Sequence, residues 1–463
     1  MTGLYRRLAL ALVCSLIFYS LLRLYGTHRF DSTYRDTGDS RDSGPSLKLS
    51  TKTPYIYNSA HRPANASIKP DSDPILIQMH YISRHGARYP NIHSMDPIKH
   101  IYSMLSPYVP GAWIKPELVN DKQNGVLAPS GEKEISSIAK RMLQKHHGFI
   151  GNLVDQSRDR LEMFSSEWQR SQESARVFRN VIDPDNRTHP VTVVPAINDT
   201  TMAIRFACPL WSHARDQSMP EISREIQTFD SIHGQPIQTQ VSHRLALLTK
   251  HAIALSIGEI NTIYTLCGYD KSLFNESNHW CSLLDTYTLE LLELRSDIKY
   301  SRVYGPYGSN LNRRMACSLF TQISRGIDDA IRDPMDAVST FRFAHAETVM
   351  FISSLLELES VLGSGLRPIT GNMTFAQAQT RGFRTSTLVP FSSNVAIEIY
   401  HDRVAQTFLF KLLLNEEPVL LPGCKDALCS VDVLRSRLAG KIGCDFQKVC
   451  AVDSTSLAAA AQL

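Results

Sequence analysis

Two short clusters hold the residue types that could do chemistry. Arg84-His85-Gly86-Ala87-Arg88-Tyr89-Pro90 sets two guanidiniums on either side of one imidazole. Arginine presents a fixed fork of donors that matches phosphate oxygens. A neutral imidazole beside it is a competent nucleophile toward a phosphoryl group that is already held and neutralised. Far downstream, His345-Ala346-Glu347 pairs a second imidazole with a carboxyl group. Between them, Arg170 stands four residues before Ser174. Together these residues could bind, attack and protonate a phosphate ester.

Each cluster follows an element able to position it. Ile75–Ser83 is apolar and β-branched, the composition of a buried strand. Gly86 then permits a tight turn and close backbone approach to a ligand, and Pro90 prevents simple continuation of the strand. Arg160–Ser166 is a strand ending in hydroxyls, and beyond it Arg170, Ser174 and Phe178 share one helix face. Phe341–Ala344 is a short strand, followed by His345, Glu347 and an apolar helix. Carboxyl ends of strands in open α/β sheets are where ligands bind. Ile135, Ile138, Ala139, Met142 and Leu143 define an amphipathic helix, with Ser130 as its expected N-cap. Val191–Pro195, Thr387–Phe391, Val395–Tyr400 and Gln406–Leu414 read as further strands. From about 200 to 330 the β signal fades, and His243–Ser256 and Ser282–Leu294 carry helical periodicity. Arg295, Lys299, Arg302, Arg313 and Arg314 in this stretch form either a basic rim over the site or a solvated face.

The pattern Arg-His-Gly-x-Arg-x-Pro resembles the signature of the histidine phosphatases, in their acid phosphatase and phytase branch. Arg170 before Ser174-Ala175 is similar to a further element of that family. Most members carry His-Asp at the second cluster, whereas His345-Ala346-Glu347 resembles the multiple inositol polyphosphate phosphatases. Ser50–Thr53, Tyr304–Asn310, Cys317–Phe320 and Leu413–Glu417 resemble the same group, so the likeness spans roughly residues 50 to 420. The resemblance implies an α/β fold with a central mixed sheet flanked by helices and a mostly helical inserted cap. It implies metal-free, two-step phosphoryl transfer with no cofactor. His85 would be the nucleophile, and Arg84, Arg88, Arg170 and His345 would bind phosphate. Glu347 would protonate the leaving alkoxide and then activate water, its carboxyl kept protonated by the crowded phosphates of the substrate. The implied substrates are inositol hexakisphosphate and lower inositol polyphosphates, and 2,3-bisphosphoglycerate. A broad-specificity acid phosphatase and an inactive binding ectodomain are the alternatives; the complete site argues against the latter.

Length and composition bound the rest. The 463 residues are ample for a large core. Residues 1–26 hold Arg6, Arg7, Arg23 and no acid, so the body carries +1 of the formal +4. A near-neutral body argues against a nucleic-acid or generic membrane-surface binder. Arg6 and Arg7 precede the uncharged run Leu8–Leu22, which reads as a signal peptide or an uncleaved signal-anchor giving membrane attachment. Residues 27–48 have the composition of a disordered linker. The core is expected over 49–199 and 331–422, the helical insertion over 200–330, and a cysteine-rich region over 423–463. Cys14 aside, the eight cysteines have no zinc-type spacing and suggest disulfides. Sequons at Asn65, Asn186, Asn198, Asn275 and Asn372 fit a secretory route to the endoplasmic reticulum lumen, exterior or cell surface.

Overall fold

Strand β1 (Ile75–Arg84) is buried from Ile77 onward on both faces, which its unbroken apolar composition requires. The computed structural model describes residues 48–57, 74–155, 160–184, 189–358 and 367–452. The expected targeting segment, nearly all of the expected linker, and the sequons at Asn65 and Asn186 lie outside those residues. The described sequons at Asn198, Asn275 and Asn372 are exposed.

Among the described residues, seven further strands join β1: β2 (Leu161–Ser166), β3 (Val191–Val194), β4 (Ser339–Ala344), β5 (Asn394–Asp402), β6 (Thr407–Leu414), β7 (Glu417–Pro418) and β8 (Cys429–Ser430). Their order is β3-β2-β4-β1-β5-β6-β7, with β8 also on β6. The β3-β2-β4-β1 half is parallel and the β5–β8 half antiparallel. The sheet is therefore mixed, as the resemblance implied. Side-chain alternation divides β1 between two cores. Met79 and Tyr81 join Phe178, Phe341 and Phe343 on one face, while Ile82 joins the larger core on the other.

Between β3 and β4 the chain is helical, with long segments at Pro209–Thr249, Ile257–Tyr269, Thr286–Val303 and Cys317–Arg332. Four details differ from the sequence reading. The helix over 243–256 stops at Thr249, where Lys250 turns left-handed (φ 63°), and Ser256 begins the next helix through a capping box with Glu259. Ser130 is not a cap, because Pro129 fills the first helical position and the Pro129–Lys145 helix starts from Ala128. Thr387–Phe391 contains no strand; Thr385–Leu388 is one helical turn. Asp297 accepts from the Thr385 backbone N–H (3.1 Å) and hydroxyl (2.7 Å), and Glu293 accepts from the Ser386 N–H (3.0 Å). These distant carboxylates satisfy the donors that a strand would have presented to a neighbour. Finally, residue 48 belongs to the folded body rather than the linker, since Lys48 pairs with buried Glu290.

All eight cysteines of the described residues are paired. Cys267–Cys281 and Cys424–Cys429 close short loops. Cys208–Cys450 and Cys317–Cys444 fasten the C-terminal region to the helical segment. This pattern fits an oxidising compartment. Among the described residues, no helix is long and apolar enough to cross a membrane.

Candidate active site

Register brings the two clusters together. In the parallel β1–β4 pair, Arg84 lies opposite Ala344. The next residue of each chain is a histidine, so His85 and His345 leave adjacent strand ends level, their ring centroids 5.7 Å apart. Strand β2 pairs with the other edge of β4, with Ser165 opposite Phe343. It ends on Ser166, whose hydroxyl lies 2.9 Å from His345 Nε2. The Gln169–Ile182 helix starts directly beyond and brings Arg170 Nη2 to 3.5 Å from His345 Nδ1. The cluster sits at the carboxyl ends of the parallel strands.

Close backbone packing shapes the loop at His85. A Cβ on Gly86 would lie 2.5 Å from the Gly131 carbonyl oxygen, and one on Gly131 would lie 2.2 Å from that of Ala87. The turn and the start of the Pro129–Lys145 helix thus touch backbone to backbone, which only glycine allows. The Gly86 N–H donates to Ser174 Oγ (3.1 Å), and the Ala87 N–H to half-buried Glu134 (3.0 Å). Glu134 also accepts from the Tyr55 N–H and the Ser392 hydroxyl.

Hydrogen-bond partners define both tautomers. His85 Nδ1 donates to the Gly86 carbonyl at 2.9 Å, which leaves the lone pair on Nε2. Arg170 can only donate, so His345 Nδ1 accepts and Nε2–H donates to Ser166. Burial, then the charge of Arg170, pulls His85 well below the usual imidazole range. Burial pushes His345 down to about 3, opposed by Glu347 and reinforced by Arg170. Both rings are neutral in mildly acidic solution.

The arginines are the decisive feature. Arg84 donates through Nη1 to the carbonyls of Thr51 (2.9 Å) and Val389 (2.6 Å), and lies over the Phe391 ring. Arg88 donates to the Tyr89 carbonyl (2.7 Å). In Arg84, Arg88 and Arg170 alike, the buried Nε has no partner. None of the three forms an ion pair among the described residues, although most arginines of the helical segment do. Burial, and then Arg88, lowers Arg84 to about 9 and Arg170 to about 10. Three mutually repelling, half-satisfied guanidiniums around one neutral imidazole form an anion site.

Three residues that sequence reasoning did not assign complete the surroundings. Lys52, on the Ser50–Lys52 turn that also anchors Arg84, is brought to about 7 by burial and by Arg88, Arg84 and exposed Lys299. It has no acidic partner among the described residues. Ser166 holds His345; the sequence showed its hydroxyl at a strand end but not its partner. Arg205 belongs to the Ile204–Phe206 turn, inside the segment read as cap, and its Nε lies 2.7 Å from Glu347 Oε1. Burial alone would raise Glu347, but His345 and Arg205 outweigh it and leave the carboxyl at about 2. Without substrate phosphates it is therefore ionised, not protonated. Of the two readings left open for the five basic residues, a rim over the site or a solvated face, the ion pairs do not favour the rim. Arg295 pairs with Asp230, Arg302 with Glu221 and Glu225, and Arg313 with Glu357. Lys299 bears on the site, through Lys52.

Residues 75–415 match the histidine phosphatase superfamily (branch 2) profile. The chain belongs to that family, as its sheet and its two clusters indicate. It is 24% identical over 399 residues to "Multiple inositol polyphosphate phosphatase 1" of Gallus gallus, covering 81% of this chain and 84% of the relative. It is 22% identical over 394 residues to the Homo sapiens protein of the same name, covering 78% of each. The fold matches a phytase from D. castellii with a TM-score of 0.68 at 15% identity, covering 89% of this chain and 88% of that one. It matches a Bifidobacterium longum multiple inositol polyphosphate phosphatase, in complex with inositol hexasulfate, with a TM-score of 0.61 at 16% identity, covering 88% of this chain and 100% of that one.

Proposed function

We propose that this protein hydrolyses phosphomonoesters of inositol polyphosphates, inositol hexakisphosphate among them, through a phosphohistidine. The observation that carries this reading is the trio of guanidiniums, each with a buried, unpartnered Nε and no carboxylate partner among the described residues, around the unprotonated Nε2 of His85. The names of the relatives supply the substrate class.

In the first step the Nε2 lone pair of His85 attacks phosphorus. The P–N bond forms as the bond to the inositol oxygen breaks, and that oxygen takes the proton of Glu347. Arg84, Arg88, Arg170 and His345 hold the phosphoryl oxygens and stabilise their charge. In the second step Glu347 takes a proton from water as its oxygen attacks phosphorus. The P–N bond breaks, its electron pair returns to Nε2, and inorganic phosphate leaves. The disulfides and exposed sequons support action in the lumen of the secretory pathway or outside the cell.

The test is phosphate release from inositol hexakisphosphate by the full chain with chelator present, alongside inositol monophosphate, 2,3-bisphosphoglycerate and p-nitrophenyl phosphate. We expect release from the hexakisphosphate, and acid-labile phosphoenzyme trapped in the wild type and not in His85→Ala. Normal turnover by His85→Ala would overturn the mechanism. A panel without preference for polyphosphates would favour a general acid phosphatase.

A further inference from the structure

We infer that Arg205 is a substrate-responsive latch on Glu347, holding the carboxylate while the site is empty and released from it by a second phosphate group of the substrate. The inference rests on the proton-donor role proposed for Glu347 and adds a selection rule to it.

The geometry contains a conflict. A proton donor must carry a proton when the ester bond breaks. Glu347 instead makes a 2.7 Å ion pair with Arg205, and the pair is partly shielded, with side-chain exposures of 16% and 29%. The other charged or titratable groups acting on Glu347 come from four elements. They are His345 at the end of β4, Arg170 on the Gln169–Ile182 helix, Arg84 at the end of β1, and Tyr304 after the Thr286–Val303 helix. Arg170 and Arg84 are the groups expected to be engaged by the scissile phosphate. Arg205 is the one whose guanidinium bonds the carboxylate itself.

Its position suits a movable partner. Arg205 is half-buried, on a short turn rather than a strand, and its guanidinium lies 3.8 Å from the centre of the Phe206 ring. Phe206 packs on Trp168 (4.7 Å), and Trp168 in turn meets His345 edge to face (4.9 Å). The guanidinium can therefore stay on this aromatic ledge while exchanging a carboxylate for a phosphate, its other natural bidentate acceptor. The Glu347 backbone does not need to move, because the neighbouring Thr348 hydroxyl ties its helix to the Met202 carbonyl.

A substrate with one phosphate gives that phosphate to Arg84, Arg88 and Arg170, leaving Arg205 on Glu347. A substrate with several phosphates offers Arg205 a second anion. Released, Glu347 feels that neighbouring negative charge instead of a positive one, so it takes a proton from solvent and becomes the donor. Discrimination thus lies in the chemical step as well as in binding.

The test compares inositol hexakisphosphate with inositol monophosphate, which have the same kind of alkoxide leaving group, across pH 3 to 8. In Arg205→Gln, kcat on the monophosphate should rise, and its alkaline limb should move up by at least one pH unit. The hexakisphosphate should lose kcat/KM, so that the ratio between the substrates falls by about tenfold or more, a change expected when one charge–charge contact of this kind is removed. Arg205→Lys, which keeps the charge, should preserve most of the ratio and confirm that the fold tolerates change at this position. Equal losses on both substrates with unmoved pH profiles in Arg205→Gln would overturn the latch while leaving the phosphatase reading intact. A wild type inactive on both substrates would overturn both.

Discussion

At the residue scale, Glu347 and Lys52 make separable contributions. An alkoxide is a poor leaving group and needs a proton, whereas p-nitrophenolate leaves without one. Glu347→Gln should lose about 10²–10⁴-fold more activity on inositol hexakisphosphate than on p-nitrophenyl phosphate. Comparable losses on both would make Glu347 a binding residue. Lys52 has no acid to pair with among the described residues and feels the charges of Arg88 and Arg84 from the turn that anchors Arg84. Lys52→Met keeps the apolar stem and removes the charge. We expect KM for inositol hexakisphosphate to rise about tenfold, as for one lost charge–phosphate contact, with kcat little changed and a smaller effect on p-nitrophenyl phosphate. An unaltered KM would place Lys52 outside the substrate's reach.

At the scale of elements, the site depends on backbone contact between the turn after β1 and the Pro129–Lys145 helix. Gly131→Ala would put a methyl group 2.2 Å from the Ala87 carbonyl oxygen, an atom that cannot rotate away. The turn carrying His85 and Arg88 must shift instead. A displacement of about 1 Å in such a site can cost on the order of 10²-fold in rate, and overpacking costs about 1–3 kcal/mol. Measuring kcat and Tm together should show both losses. Gly151→Ala, on a helix where the added Cβ meets nothing within 4 Å, is the control and should leave kcat unchanged and Tm unchanged or slightly raised.

For the whole molecule, the buried histidines set a direction for acid stability. His80 and His345 are lowered to about 3, and His85 well below the usual range, burial being the largest cause in each. The unfolded chain binds a proton on each near pH 6.5, while the folded protein resists doing so until near 3 at His80 and His345, and His85 is likewise held well below the usual range. Below 6.5 the unfolded state therefore binds more protons, and stability falls as pH falls through that window. Tm should decline from pH 6.5 toward 4, and the decline should be shallower in His85→Ala, which lacks one of these groups. Inositol hexasulfate, an anion that favours protonated imidazole, should reduce the decline in the wild type. An identical slope in the variant would assign the acid sensitivity to other groups.

The residues of the two clusters were legible in the sequence because their chemistry is local. An arginine–histidine–glycine turn after an apolar strand has few other uses, and Phe341–Ala344 followed by His345 repeats the arrangement. The mixed sheet followed from the likeness those motifs carry, and the helical stretch from periodicity. Local rules erred where distant groups intervened. Thr387–Phe391 reads as a strand, but Asp297 and Glu293 hold Thr385–Leu388 as a helical turn, and of the five basic residues read as either a rim or a solvated face, distant acids pair with three. The level meeting of His85 and His345 required the β1–β4 register, which no local pattern encodes. Arg205 and Lys52 carry no motif at all, because a lone basic residue in a turn reads as solvated until the fold shows what it faces. The sequence by itself determined which groups are the candidates for the chemistry, since reactivity belongs to residue types held in short fixed spacings. Only the tertiary structure decided their protonation and partners, since those depend on burial and on charges brought from elements more than a hundred residues apart.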